Sequence, residues 1–155
     1  MELLLAAVGR LRPSFRAAAD EYRGRLAHYA RITEREVREA SRQPTPATER
    51  AEEARRLVAL LPPHARVVAL TRDGSAWSSR ELAGEVGRWV VEARPVALLL
   101  GGSWGLDPEL LQRADRRWSL GPLTIPHELA RVVVYEQLYR AFTILRRQPY
   151  HKGRE

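Results

Sequence analysis

Short aliphatic runs alternate with longer amphipathic stretches along this chain, the pattern of an α/β protein in which parallel strands are separated by helices. Residues 2–8 (ELLLAAV) read as a strand ended by Gly9, and Ser14 after Pro13 reads as the cap of an amphipathic helix reaching about Tyr29. Residues 31–39 carry Ile32 and Val37 among charges, which predicts a polar edge strand. The segment SRQPTPAT at 41–48 is a loop, and a second helix spans roughly 47–61, stopping at Pro62 and Pro63. RVVALT at 66–71 is a further strand, followed by Arg72-Asp73-Gly74 as a turn.

The second half repeats the rhythm. Ser78 and Glu81 spell a capping box that opens a helix to about Ala93. VALLL at 96–100 has no polar position, as expected of the middle of a parallel sheet covered on both faces. Asp107-Pro108 supplies a cap and a first helical residue for a helix to about Arg117. Strand-like pieces at 118–120 and 123–125 flank Gly121-Pro122, one long helix covers 127–147, and PYHKGRE is left as a tail. That last helix is apolar almost all the way round, more than one buried face requires, so it predicts a second apolar surface shared with a partner subunit. Glu136 and Arg140 interrupt it at i and i+4, spaced to pair with each other or to serve a site.

Composition narrows the class. A chain of 155 residues suits one domain, 1–155, and its apolar residues, 45% of the total, lie in short runs separated by charges. No apolar run approaches the roughly 20 residues that span a bilayer. With no basic leader and no cysteine, the chain is expected to be cytoplasmic and without membrane contact. Lys152 is the only lysine among 26 basic residues, and the formal balance is +7. Such an excess suits a polyanionic partner, or else a solvated arginine and glutamate surface.

In parallel sheets ligands bind beyond the carboxyl ends of the strands. Gly101 and Gly102 stand at such an end, where absent side chains let the backbone approach a ligand closely or simply make a tight turn into the next helix. The loop G-G-S-W-G lacks the dinucleotide spacing, and no G-K-[ST] phosphate loop is present. Three strand-end loops, at 70–74, 101–105 and 119–127, offer mainly backbone amides and aliphatic side chains, a lining better suited to adenine and a thioether-like chain than to pyrophosphate. Of the four histidines, His28 and His64 read as surface residues and His127 as structural. His151 lies beside Tyr150 among Arg146, Arg147, Lys152 and Arg154, which is either a disordered basic tail or a base-stacking and phosphate-holding segment. Trp77, Trp89 and Trp118 fit packing positions, while Trp104 in the glycine loop is open to packing or to contact with cofactor or RNA.

The stretches LLLGGSWGL, WSLGPLTIPHELARVVVYEQLYRAFTI and PYH, together with LLLAAVGR and VVALTRDGSAW, resemble the RlmH family of SPOUT-class methyltransferases over nearly the whole chain. The resemblance implies a Rossmann-like parallel sheet with helices on both faces and a C-terminal trefoil knot. It implies S-adenosylmethionine bound at Leu70, Thr71, Gly101 and Gly102 and along Leu120, Gly121, Pro122, Leu123, Thr124, Ile125 and Pro126, with no metal. It further implies a homodimer that methylates N3 of a pseudouridine in large-subunit (23S) ribosomal RNA of assembled ribosomes. Tyr150 is then expected to stack on or position the target base, His151 to remove its proton or hydrogen-bond to it, and Arg140 to stabilise the anion. Ser103-Trp104 departs from the smaller or proline-containing pair expected there. An inactive ribosome-binding or RNA-binding factor on the same fold, and a dinucleotide-dependent enzyme on a similar sheet, are the rival readings.

Overall fold

A computed structural model describes residues 1–151, the side chain of His151 excepted. Five parallel strands form one sheet in the order β2-β1-β4-β3-β5, comprising β1 (Glu2–Val8), β2 (Arg31–Val37), β3 (Arg66–Ser75), β4 (Val96–Leu100) and β5 (Arg116–Trp118). The helices between and after them are α1 (Pro13–Leu26), α2 (Pro46–Val58), α3 (Ser79–Glu92), α4 (Pro108–Arg113) and α5 (His127–Leu145), with a 3-10 turn at Pro149–His151. Alternation along the strands divides the core. Leu3, Leu5 and Leu98 join the side chains of α1, α3 and α5 on one face, while Leu4, Val8 and Leu99 join Leu57 of α2 and Leu110 of α4 on the other. β4 is buried at all five positions and sits in the centre of the sheet, and the polar β2 is an edge, both as predicted.

Local signals hold where they are self-contained. Glu81 N donates to Ser78 Oγ at 3.1 Å and Ser78 N to Glu81 Oε2 at 2.7 Å, so the capping box closes in both directions. Asp107 caps α4 through Glu109 N at 3.1 Å. Long-range pairing overrides them elsewhere. Arg72-Asp73-Gly74 does not end the strand: β3 runs on to Ser75, but Leu70 and Ser75 both pair with Trp118, so residues 71–74 bulge out of the ladder before Ser75 accepts from Ser119 N at 2.9 Å. Gly74 is needed in that extension because a Cβ there would lie 2.6 Å from the Arg117 carbonyl carbon.

The same β5 pairing ends α4 at Arg113, short of the predicted Arg117, and residues 123–125 form no strand. Ser14 lies inside α1 and does not cap it. Arg12 takes that place, Pro13 is the first helical residue, and Glu128 of α5 accepts from Arg12 N at 2.9 Å. α1 ends at Leu26, β2 at Val37, α2 at Val58 and α5 at Leu145, each short of its expected end, and α2 starts at Pro46 behind a Thr45 cap.

α5 packs against both α1 and α3. Its Arg131 is 1% exposed, an ion-pair centre bonded to Glu34 at 3.1 Å, to Glu36, and to the Gly9 carbonyl at 3.0 Å. Arg16 joins the same cluster through Glu34 at 2.5 Å and Glu36 at 3.0 Å, so each buried charge is paired. Tyr135 beside it is fully buried, its hydroxyl has no hydrogen-bond partner among the described residues, and burial pushes the phenol well above its ordinary range.

Candidate functional site

The three loops expected to meet do so. They surround a cavity of about 660 Å³ at the carboxyl ends of β3, β4 and β5. β3 contributes Leu70 and Thr71, the turn after β4 contributes Gly101 and Gly102, and the loop before α5 contributes Leu120, Gly121, Leu123, Thr124, Ile125 and Pro126. Pro122 is the exception among the expected cofactor residues. It is exposed and does not line the cavity, and its carbonyl instead accepts from Arg72 at 3.5 Å, tying this loop to the end of β3.

Each wall is built for close approach. A Cβ on Gly101 would sit 2.5 Å from the Gly105 carbonyl carbon and 2.9 Å from Leu106 N, so only glycine lets the chain fold back on itself there. The fold-back is held by a Gly102–Gly105 bridge, with Gly105 N donating to Gly102 O at 3.1 Å. The opposite wall is held by Ser119, buried, whose hydroxyl accepts from Gly121 N at 3.0 Å and donates to Gly121 O at 3.2 Å. Below it the Trp118 ring stacks on Trp77 at 6.1 Å between centroids.

The lining also includes residues that the sequence reading passed over. Arg72, Asp73 and Ser103 belong to the same loops and were within reach of that reading. Leu111 of α4 and Ala130 of α5 come from helices, and only tertiary packing brings them in. His127, expected to be structural, stands on the cavity wall as the first residue of α5. Trp104 lies on the rim and is 54% exposed, whereas Trp89 and Trp118 are buried and Trp77 is half-buried. Aliphatic groups and backbone dominate the lining, with Arg72 and Asp73 as its charges. Among the described residues no cluster of three or more histidine, aspartate or glutamate side chains is placed to hold a metal ion.

The tail residues form a second group. Tyr150 donates its hydroxyl to Glu136 Oε1 at 3.1 Å, meets Tyr139 edge-on at 4.7 Å, and lies under the Arg140 guanidinium at 5.0 Å. Arg140 donates to the same Glu136 carboxylate at 2.9 Å, so the i, i+4 ion pair becomes a three-residue knot of contacts. Burial and the Glu136 carboxylate push the Tyr150 phenol up to about 12. The fraying expected of this segment is therefore replaced, as far as Tyr150, by docking on α5. The side chain of His151 and residues 152–155 lie outside the described residues.

Within one chain the two groups are apart. Ala130 lines the cavity and Arg140 lies ten residues further along α5, about 15 Å at the helical rise. Apolar surface is left uncovered near the cavity end of α5: Leu129 is 41% exposed, and Leu123 of the preceding loop is 75% exposed.

Comparison with known proteins gives a consistent result. Residues 1–151 match a family model described as a predicted SPOUT methyltransferase. A protein of Anaeromyxobacter sp. (strain Fw109-5) named Ribosomal RNA large subunit methyltransferase H is 46% identical over 153 residues, covering 98% of this chain and all of that protein. One of the same name from Nitratidesulfovibrio vulgaris (strain DSM 19637 / Miyazaki F) is 47% identical over 151 residues, covering 96% of this chain and 97% of that protein. Among solved structures, a "probable methyltransferase" from Bordetella pertussis Tohama I superposes with a TM-score of 0.57 at 20% identity, over 90% of this chain and 95% of that one, a likeness of fold.

Proposed function

The chain belongs to the SPOUT methyltransferase family, and from that premise we propose that it methylates N3 of a pseudouridine in large-subunit ribosomal RNA, using S-adenosylmethionine, on assembled ribosomes and as a homodimer. The observation that carries the proposal is the convergence of three side-chain-poor loops on one hollow, in a chain whose full-length relatives are named for large-subunit ribosomal RNA methylation. The trefoil threading of the C-terminal part rests on the same family membership. With ribosomes as substrate, the place of work is the cytoplasm, and among the described residues no helix is long and apolar enough to cross a membrane.

The lining suits the methyl donor. Gly101, Gly102 and Gly121 leave room for backbone contact with a nucleoside, and Leu70, Leu123 and Ile125 supply apolar surface for its adenine and thioether portions. When bound there, S-adenosylmethionine supplies an electrophilic methyl on a cationic sulfur, with its leaving group built in. The chain's task is then to hold the acceptor nitrogen in line, exclude water and dispose of one proton.

Tyr150, held neutral by its raised pKa, serves as a hydrogen-bond donor and positioning group, not as the base. His151 accepts the proton from N3, and Arg140, fixed by Glu136, steadies the negative charge that develops on the base. Since these residues lie well along α5 from the cavity of their own chain, they serve the cavity of the partner subunit, and the exposed Leu123 and Leu129 give that partner an apolar seat.

Ribosomes from a strain lacking its own enzyme, incubated with the protein and labelled S-adenosylmethionine, should gain one methyl on N3 of a pseudouridine. Tight binding of the methyl donor with no label in ribosomal RNA would overturn the substrate assignment, and indifference to the donor would overturn the activity. Full methylation by His151→Ala would remove that residue from the mechanism.

A further inference from the structure

Eleven aromatic side chains are distributed through this fold as 4 Trp, 5 Tyr and 2 Phe, and all but one are buried or half-buried. The exception is Trp104, 54% exposed, with no ring partner among the described residues. Leaving so large an apolar surface in water opposes folding, and nothing in the fold requires it there. Its setting is not a loose loop tip. The Gly102–Gly105 bridge closes the turn that bears it, and Gly101 packs directly against the Gly105 carbonyl, so the indole is carried on a backbone with little freedom. That turn forms the rim of the cavity, with Leu123, 75% exposed, on the loop that forms the other wall.

A base methylated on a ring nitrogen used for pairing must leave its helix or stack before the nitrogen can be reached, and it loses its stacking partners as it does so. Proteins that take up unstacked bases restore that contact with an exposed aromatic face. We propose that Trp104 is the stacking platform for the incoming ribosomal RNA base, or for the nucleotide next to it, at the mouth of the cofactor cavity. The inference rests on the methyltransferase reading and adds to it a residue of the RNA side of the site, on the chain that holds the cofactor. A neutral uracil-type ring offers hydrogen bonds only at its edge, so its face is complemented by a flat apolar surface.

Trp104→Ala, Trp104→Phe and the wild-type protein would be compared in ribosome methylation, in calorimetric titration with S-adenosylmethionine, and in sedimentation. The alanine variant should lose roughly ten- to a hundredfold in kcat/KM for ribosomes, mainly through KM, with the affinity for S-adenosylmethionine and the oligomeric state unchanged. The phenylalanine variant should recover most of the loss, since it keeps an aromatic face. Unaltered ribosome kinetics in the alanine variant would overturn the proposal. So would a parallel loss of S-adenosylmethionine affinity, which would make Trp104 a cofactor residue, or a shift to monomer, which would make it an interface residue. If the wild-type protein itself leaves ribosomes unmethylated, the failure lies with the functional reading and not with Trp104.

Discussion

The cavity wall at Gly101 sets the most direct test. Adding one methyl group there places a carbon 2.5 Å from the Gly105 carbonyl carbon, 2.6 Å from its oxygen and 2.9 Å from Leu106 N. Non-bonded carbon atoms rest at about 3.5–4.0 Å, so the turn must retreat by about 1 Å. All three neighbours are backbone, and no side-chain rotation relieves them. The retreat is opposed by the Gly102–Gly105 bridge and by Leu106, which is 8% exposed and packed in the core beside Val8 and Leu110. Overpacking of this kind costs roughly 1–3 kcal/mol. If the turn swings outward to relieve the strain, the loss falls on cofactor affinity, and at about 1.4 kcal/mol per tenfold the dissociation constant of S-adenosylmethionine rises roughly five- to 150-fold. If it stays, the loss appears in the melting temperature instead. Calorimetric titration and thermal melting should therefore be read together on Gly101→Ala. Gly84→Ala is the control: Gly84 is exposed within α3 with nothing within 4 Å of its added Cβ, and the change should stabilise by roughly 0.5–1 kcal/mol with cofactor affinity unmoved. Wild-type affinity and wild-type melting in Gly101→Ala would refute the account of this wall.

Other expectations follow from the same structure. Tyr135→Phe removes a buried hydroxyl that has no hydrogen-bond partner among the described residues, so stability to urea should be unchanged or rise by about 1 kcal/mol, and a clear loss would mean that the hydroxyl is bonded in solution. Glu53 of α2 is buried, its carboxyl raised above the ordinary range by burial first, despite accepting from Ala40 N at 3.0 Å. A raised folded-state pKa means that the native protein holds the proton more tightly than the unfolded chain, so stability falls as pH rises through and above the carboxylate range. Glu53→Gln keeps an acceptor for Ala40 and should melt higher than wild type at about pH 8, with the gap closing towards about pH 4; a gap that does not change with pH would refute the assignment. Co-expressed Gly101→Ala and Tyr150→Ala chains should regain about a quarter of wild-type methylation, because random pairing makes half the dimers mixed and each mixed dimer has one intact cavity facing one intact tail. No recovery over either variant alone would place Tyr150 with its own chain's cavity.

How much of this was legible in the sequence depends on the range of the interaction that decides each element. The five apolar residues of β4 and the reciprocal Ser78–Glu81 cap announce themselves, since burial on both faces and a three-residue spacing are local facts. Asp73-Gly74 is legible as a break in the strand but not as its end, because after the excursion at 71–74 Ser75 returns to pair with Trp118, 43 residues on, with Gly74 yielding space to Arg117. Arg131 gives no warning at all. It sits in an apolar helix as any surface arginine would, yet it is the buried hub for Glu34, Glu36 and the Gly9 carbonyl. The three loops of the cavity were legible as glycine-rich strand ends, but that Pro122 is not part of the lining was not, because a loop's path, unlike a strand's alternation, has no period from which to infer which residues face inward.

Sheet order explains why the glycine pair stands after β4 and not after another strand. From β1 the chain leaves towards β2 through α1 on one face of the sheet, whereas from the neighbouring β4 it leaves through α4 on the other face to reach β5 beyond β3. The two connections diverge, and the gap they leave at adjacent carboxyl ends is where open α/β sheets take their ligands. Gly101 and Gly102 open the connection on the β4 side of that gap, with Val8 of β1 close enough that a Cβ on Gly102 would lie 3.0 Å from its Cγ1. No residue of β1 lines the hollow: from the glycine pair it lies under the crossover towards β3 and β5, and this is why Leu111 of α4 lines it although no strand end carries that residue. Bulk at the start of the crossover therefore closes the hollow at its root, while bulk at Pro122, on the outside of the far loop, should leave it open.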